Sequence, residues 1–442
     1  MLASLAPAWW DAWYGVLEHA FGGVAESPEE RALWHDLTEF DRSIAVLDGD
    51  SDTETADEST KRFIGGSGAF SFRVAVPGAE KTDAPTSGAQ DHEARPLLVP
   101  AAGITMVGVV PTHRRRGVLT AMMRRLLEDA RERGEPLAVL TASEPAIYGR
   151  FGFGVATRQL RMRIPRHRVR IAPPAPGEVP PRLRPADPAA ALPACEELHR
   201  RISSRRPGWI ARPDGWERQA LLDPVSLRDG ASPLLCVLAE DPDGGTLRGY
   251  ARYAVRPRWE WSGPQGEVAV REVQAADPAA YAALWRFLLD IDLTDTVEAR
   301  NLPVDDPLLH LVDDERRCEP ALRDSLHVRL VDVPAALAAR RYNGPLDVVL
   351  EVADSFCPQN AGRWRLTADP DGTAVCERST EPAELALSVR ELGSVYLGGN
   401  SLAALAAAGR VTELAPGSGA LARAAVAFAA PGGLAPWLPR GF

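Results

Sequence analysis

Residues 109–120 read VVPTHRRRGVLT. Three successive arginines, Arg114 to Arg116, stand beside His113 in a chain whose formal net charge is −10. Before them, ITMVGVV (104–110) is apolar and strand-like, and Pro111 ends the strand. After them the apolar period becomes helical. Leu119, Met122, Met123, Leu126, Leu127 and Ala130 fall on one face, with Arg124, Arg125, Glu128, Asp129 and Arg131 on the other. Gly134 and Pro136 supply the stop. The basic run is therefore the turn between a strand and a helix.

Such a turn has a chemistry of its own. A helix N-terminus carries unpaired N–H groups and about half a positive charge, and phosphates settle there. Gly117 removes a side chain at the bend, and Arg114, Arg115 and Arg116 add charge around it. A nucleic-acid face needs basic residues repeated over a surface, often with aromatics between them. This helix turns mixed in charge within a few residues. One pyrophosphate fits better than a polyanion, and a plain solvated turn is the bland alternative. The totals agree: 60 acidic against 50 basic residues repel nucleic acid and anionic membrane and favour cationic partners.

The 442 residues suit two to four domains, with 45% hydrophobic and 25% charged residues as in ordinary globular chains. Strands are predicted over 42–50, 65–76, 104–110 and 136–142. The start reads as an amphipathic helix, with Trp9, Trp13, Leu17 and Phe21 at four-residue spacing. It lacks a basic leader, Asp11 breaks its apolar run, and no run reaches about 18 apolar residues. Residues 51–62 and 78–100 read as surface loops. Residues 172–188 contain seven prolines, which suit a stiff linker, so a boundary lies near 160–185. A weaker one lies near 305. Beyond it, RDSLHVRLVDV alternates like a strand, VPAALAAR is helical, and DPDG (369–372) marks a hairpin. The end is Ala-rich and helical. Cys195, Cys236, Cys318, Cys357 and Cys376 are far apart and form no C-x-x-C pair, so neither a disulfide framework nor a metal site is expected. A reducing cytoplasm fits.

Arg114-Arg115-Arg116-Gly117-Val118-Leu119 resembles the acyl-CoA-binding motif R/Q-x-x-G-x-G/A of the GNAT acetyltransferases, with Leu119 where Gly or Ala is commoner. Taken with LTASEPAIYGRFGFG (140–154) and LGSVYLGG (392–399), the chain looks like a member of the Eis (enhanced intracellular survival) family. The resemblance implies an α/β (α+β) chain of tandem GNAT folds followed by a sterol-carrier-protein-like domain. Its parts would be an active N-terminal GNAT domain (1–160), a degenerate central one (161–304) and the third domain (305–442). It implies a homo-hexamer, and acetyl-CoA as co-substrate without a metal.

The implied reaction moves acetyl from a thioester to a primary amine of an aminoglycoside, sometimes at several positions, or of a lysine. That step needs a polarised carbonyl, a base for the ammonium and an acid for the leaving thiolate. By resemblance, main-chain groups at Val107, Gly108 and Val109 hold the acetyl and pantetheine parts. Arg114 to Thr120 (Arg114, Arg115, Arg116, Gly117, Val118, Leu119, Thr120) cradle the pyrophosphate, and Ser143 and Glu144 line the cofactor. Tyr148 is the implied acid and the α-carboxylate of Phe442 the implied base. Gly441 departs from the commoner acidic penultimate residue, and Thr141 stands where the family often has His. Phe21, Trp34, Met106 and Phe151 are candidates to line an acceptor pocket, each with a core role as the bland reading. Glu26, Glu29 and Glu30 could attract a cation or simply form a charged helix face. The family generally opens with a short strand, whereas this chain reads as beginning almost directly on the helix, with that strand missing or different. A rival class, a hydrophobic-ligand or lipid binder, rests on the sterol-carrier likeness, and a scaffold that senses acetyl-CoA is a third.

Overall fold

The computed structural model describes residues 1–48, 62–79, 96–174, 179–430 and 432–442. Most of the loops expected over 51–62 and 78–100 lie outside the described residues. No described helix is long and apolar enough to cross a membrane.

The first unit contains β1 (Leu2–Ser4), α1 (Trp10–Ala20), α2 (Pro28–Leu37), β2 (Ile44–Leu47), β3 (Phe63–Ala79), β4 (Pro96–Val109), α3 (Val118–Glu132), β5 (Leu137–Thr141), α4 (Pro145–Tyr148) and β6 (Gly154–Val155). The opening strand expected to be missing is present: β1 pairs antiparallel with β2. Three residues with no apolar period give no strand signal, so the sequence hides it. Strands β3 and β4 form one long antiparallel pair in which Gly66 faces Gly108. A Cβ at Gly66 would strike the Trp13 indole, and one at Gly108 would press on Leu17 and Ala20. The two glycines let α1 lie close on this face of the sheet, where Trp13 Nε1 donates to the Ile44 carbonyl (2.9 Å). On the opposite face α3 buries Met122, Met123, Leu126, Leu127 and Ala130, the stripe its sequence shows.

The second unit contains β7 (Arg158–Pro165), β8 (Arg182–Ala186), α5 (Leu192–Ser203), β9 (Ile210–Ala211), β10 (Leu235–Glu240), β11 (Leu247–Arg256), β12 (Trp259–Glu260), β13 (Gly263–Pro264), β14 (Gly266–Ala275), α6 (Pro278–Leu289), β15 (Thr294–Leu302), α7 (Leu308–Leu311) and β16 (Ala321–Asp324). Its sheet runs β16-β7-β15-β14-β11-β10-β8, while β9 joins β3 of the first sheet. Of residues 305–324, grouped by sequence with the third part, Leu308 and Cys318 lie in this core and β16 in this sheet.

The chain then returns. β17 (Leu326–Leu330) inserts between β5 and β6, giving the first sheet the order β1-β2-β3-β4-β5-β17-β6. The third unit follows with α8 (Val333–Ala338), β18 (Leu346–Ala353), β19 (Gly362–Ala368), β20 (Ala374–Arg378), β21 (Leu385–Ser388), α9 (Val389–Val395), α10 (Leu402–Ala407), β22 (Val411–Glu413) and α11 (Ala420–Phe428). Residues 369–372 form the expected turn between β19 and β20. In this core the Arg340 guanidinium is fully buried. It lies over the rings of Tyr342, Tyr396 and Phe428 and donates to the carbonyls of Tyr396 (2.5 Å) and Phe428 (3.0 Å).

The first and third units meet through glycines of the two quoted motifs. A Cβ at Gly154 would collide with the Arg390 carbonyl oxygen on α9, and one at Gly393 with the Val328 carbonyl oxygen on β17. The pair Arg329–Asp354 (2.6 Å) is buried across the same joint. Gly154→Ala should cost about 1–3 kcal/mol through overpacking and lower the thermal midpoint. A melting curve like that of the wild type would contradict this packing.

Candidate active site

The parallel pair β4–β5 is short. Pairing runs from Ala101↔Leu137 to Gly103↔Val139, after which the strands continue to Val109 and Thr141 without each other. On its other side β4 carries one extra residue between Thr105 and Gly108, opposite Gly66 to Gly68. Met106 takes a left-handed conformation there (φ 53°). A bulge of this kind bends a strand and leaves backbone groups without ladder partners. The result is a wedge walled by Thr105–Val109 and Leu140–Thr141. Val107 and Val109 turn their side chains into the small cluster with Met122 and Val118, so packing and backbone exposure coexist. The Val109 carbonyl, however, already accepts from Arg114 Nε (3.2 Å).

One end of the wedge opens on the turn before α3. Gly117 sits at the N-cap with φ 82°, no side chain caps the helix, and a Cβ there would meet nothing within 4 Å. Arg115 is also left-handed (φ 63°). The turn thus presents uncapped N–H groups to an open space, which suits a phosphate. The three arginines part company. Arg114 Nη2 donates to the Ala20 carbonyl (3.0 Å), tying the turn to the end of α1. Arg115 and Arg116 are exposed and pair with no acid among the described residues. Val118 and Leu119 are half-buried and Thr120 is exposed on the first turn of α3, while Ser143 and Glu144 are exposed just past β5. His113 lies 3.5 Å from Asp48 and 2.9 Å from Thr112 Oγ1.

The other end of the wedge is closed by Phe442. Its main-chain oxygen accepts from Thr141 Oγ1 (3.3 Å), and its ring meets Phe72 edge-on at 5.0 Å. Trp34 and Met106, both half-buried, pack on the same core, and Trp34 meets Trp216 at 6.0 Å. Phe21 is 61% exposed just beyond α1 and joins none of these contacts. Phe151 is core: it is 2% exposed and set against Phe356, because the left-handed Gly152 after it turns the chain inward. The three glutamates near the start do not form a free acidic face. Glu26 accepts from Tyr14 (2.5 Å), and burial raises its carboxyl above the usual range. Glu30 closes a capping box with Ser27, and only Glu29 is fully exposed.

Tyr148 ends α4 half-buried, in the cluster that contains Val107 and Leu119, with its ring 6.2 Å from Phe153. No described residue hydrogen-bonds its hydroxyl. Burial, helped by the Glu144 charge, raises its pKa above the ordinary phenol value. Because the shift is upward, the neutral, proton-bearing form persists to higher pH than in an ordinary phenol. Tyr148→Phe keeps the ring and removes the proton. For the acid that the resemblance implies, this change should lower kcat about 10²-fold or more and leave Kd for acetyl-CoA unchanged. Any alkaline loss of the wild-type rate from this group should come at higher pH than for an ordinary phenol. A Phe variant of full activity would remove Tyr148 from the chemistry.

Sequence reasoning missed the residues that bring Phe442 here. Arg212 Nη2 donates to the carbonyls of Arg440 and Gly441 (3.2 Å to the latter), and Gln219 Nε2 donates to Gly441 (3.2 Å). Trp216 and Phe72 build the wall beside the ring. Nothing local marks them: WERQAL (216–221) reads only as a polar helical turn. A cavity of about 390 Å³ flanks the tail, lined by Trp209, Arg212, Asp214, Trp216, Glu217 and Arg440 among others.

Comparison with known proteins finds three domain matches. Residues 97–156 and 208–330 each match an acetyltransferase (GNAT) domain, and residues 333–439 match a sterol carrier protein domain. An uncharacterised N-acetyltransferase of Streptomyces avermitilis is 58% identical over 433 residues, covering 98% of this chain and 97% of its own. The N-acetyltransferase Eis of Mycobacterium bovis is 32% identical over 409 residues, 91% of each chain. The crystal structure of Eis1 from Mycobacterium abscessus superposes with a TM-score of 0.77 at 32% identity, covering all of both chains.

Proposed function

The chain belongs to the Eis family of GNAT N-acetyltransferases, and from that premise we propose that it moves acetyl from acetyl-CoA to primary amines of cationic acceptors. Aminoglycosides, acetylated at one or several positions, are the expected class, with lysine side chains as a protein counterpart. The observation that carries this reading is the single wedge between β4 and β5, open at a phosphate cradle and closed by Phe442.

In this reading the turn from Arg115 to Thr120 takes the pyrophosphate through N–H groups. The splayed backbone at Val107–Val109 takes the pantetheine arm and the thioester carbonyl. Trp34, Met106, Phe72 and Trp216 wall the acceptor side. The acceptor ammonium gives a proton to the α-carboxylate of Phe442. The freed amine attacks the thioester carbon, a C–N bond forms, the C–S bond breaks, and the sulfur leaves as thiolate. Tyr148 donates a hydrogen bond to that thiolate and supplies its proton, and the second proton of the attacking nitrogen, shed as the amide forms, restores the phenol. At ordinary values, pKa ~10 for a phenol and ~8.5 for a thiol, full transfer is uphill by ~2 kcal/mol. The raised Tyr148 therefore serves first as a hydrogen-bond donor. A carboxylate of pKa ~3.5 is a weak base in water, so in this reading it works with desolvation or through a bridging water.

The net charge of −10 draws polycationic acceptors. We place the enzyme in the cytoplasm as a homo-hexamer of three-part chains. The third unit serves to bring the tail to the wedge. The buried Arg340 and its ring partners fill its core, which speaks against a hydrophobic-ligand carrier. The test is release of free CoA thiol on mixing the protein with acetyl-CoA and tobramycin or kanamycin, with product masses raised by whole acetyl increments. Thiol release with none of a panel of amines, alongside stoichiometric lipid binding, would reverse the reading.

A further inference from the structure

The second unit repeats the wedge and fills it with the chain's own tail. Strands β14 and β15 are parallel, like β4 and β5, and joined by α6 as those are by α3. Their pairing stops at Val270↔Ala299, although β14 continues to Ala275 and β15 to Leu302. β14 also carries an extra residue between Val270 and Glu272, opposite Tyr253 and Arg252. The helix start, however, differs. Asp277 occupies the N-cap of α6, accepts from the Ala280 N–H (3.0 Å) and pairs with Arg248 (2.7 Å). A carboxylate stands where the first unit has the open Gly117, so this notch is unsuited to a phosphate.

Residues 435–441 occupy it. Asn301 on β15, left-handed at φ 57°, donates through Nδ2 to the Pro439 carbonyl, and its own carbonyl accepts from Trp437 Nε1 (3.0 Å). Across the gap, Glu272 on β14 accepts from Arg440 Nη2 (2.8 Å). Arg440 also reaches Glu196 on α5 (2.7 Å). Arg252 joins both carboxylates at 3.2 and 3.0 Å. His199 Nδ1 lies 2.9 Å from Glu272, and burial keeps that imidazole below its ordinary range against the pull of the carboxylate. Arg440 and Arg252 thus pair with the two carboxylates, and Arg212 stands beside them, donating to the Arg440 carbonyl. Burial opposes the charge on Glu272, but Arg440, His199 and Arg252 outweigh it and hold the carboxyl well below the usual range. Farther out, Asp305 accepts from the Ala435 N–H (2.9 Å), and Arg206 donates to the Ala435 carbonyl (2.9 Å).

We propose that the notch of the second sheet has become a holder for the 435–441 segment, and that Arg440 is the positioning residue that sets Phe442 in the first wedge. The proposal rests on the reading of Phe442 as base. Two residues span at most ~7 Å, so a displaced Arg440 displaces the terminal carboxylate from Thr141. A bidentate guanidinium meets two carboxylates at once, which an ammonium does less well.

The experiment uses the full chain, with Arg440→Gln and Arg440→Lys, and two readouts: kcat with Kd for acetyl-CoA, and the rate at which carboxypeptidase frees Phe442. Arg440→Gln should lower kcat at least tenfold, keep Kd within about twofold and speed release of Phe442. Arg440→Lys should recover part of both. If Arg440→Gln fails to fold, Asn301→Ala loosens Pro439 without stranding a carboxylate and carries the same readouts. Unchanged release and unchanged kcat would overturn the positioning role, while loss of activity on deleting Phe442 would still support the base. Faster release with unchanged kcat would instead overturn the base reading, and with it the catalytic purpose of the holder.

Discussion

Deleting Phe442, or extending the chain beyond it by a tag, should lower kcat by about 10²- to 10⁴-fold and leave Kd for acetyl-CoA near the wild-type value. The phosphate turn and the β4 backbone lie at the open end of the wedge, and Phe442 at the closed end. Removing Phe442 takes away the oxygen that accepts from Thr141 and the ring against Phe72, but no group of the turn. An extension keeps the ring's chemistry but converts the α-carboxylate to an amide, which is not a base. Loss of kcat without loss of Kd is the signature of a group that acts in the chemical step. An extended chain with full turnover would contradict the assignment.

Gly117→Glu should weaken acetyl-CoA binding at least a hundredfold without unfolding the protein. At φ 82° a side chain costs about 1–3 kcal/mol of backbone strain, and a carboxylate there repels the pyrophosphate. Loss of one or two charge-assisted hydrogen bonds, about 1.5–3 kcal/mol each, suffices for the hundredfold, since about 1.4 kcal/mol is tenfold. The fold survives because a Cβ at Gly117 meets nothing within 4 Å. Calorimetric titration beside a melting curve separates the two effects. Retained affinity would return the turn to a plain solvated bend.

The same turn shows how far the sequence could be read. Its strand-turn-helix setting and the buried face of α3 follow from local period, and both are found at their expected positions. The hairpin at 369–372 is equally local. What escaped is non-local. In RDSLHVRLVDV, Leu326, Val328 and Leu330 alternate with His327 and Arg329 as in a half-exposed strand. All five are buried, because the polar side faces the third unit, where Arg329 pairs with Asp354. Neither that pairing nor the insertion of β17 beside β5 leaves a mark in nearby residues. Arg114 was legible as a charge near the turn, but its use as a tie to Ala20 depends on where α1 ends. The tail was readable only by resemblance. Its anchors, Asn301, Glu196 and Glu272, lie about 140 to 245 residues upstream and look in sequence like ordinary surface polar groups.

The central claim is that the three units assemble one wedge around a terminal carboxylate. The most direct measurement compares the chain ending in the Phe442 carboxylate with the same chain ending in the Phe442 carboxamide, made by ligating a short synthetic tail. The carboxamide keeps the ring, the length and the Thr141 hydrogen bond and removes only the charge and basicity. The account predicts a kcat at least tenfold lower for the carboxamide with an unchanged Kd for acetyl-CoA. Equal kcat for the two chains would contradict it.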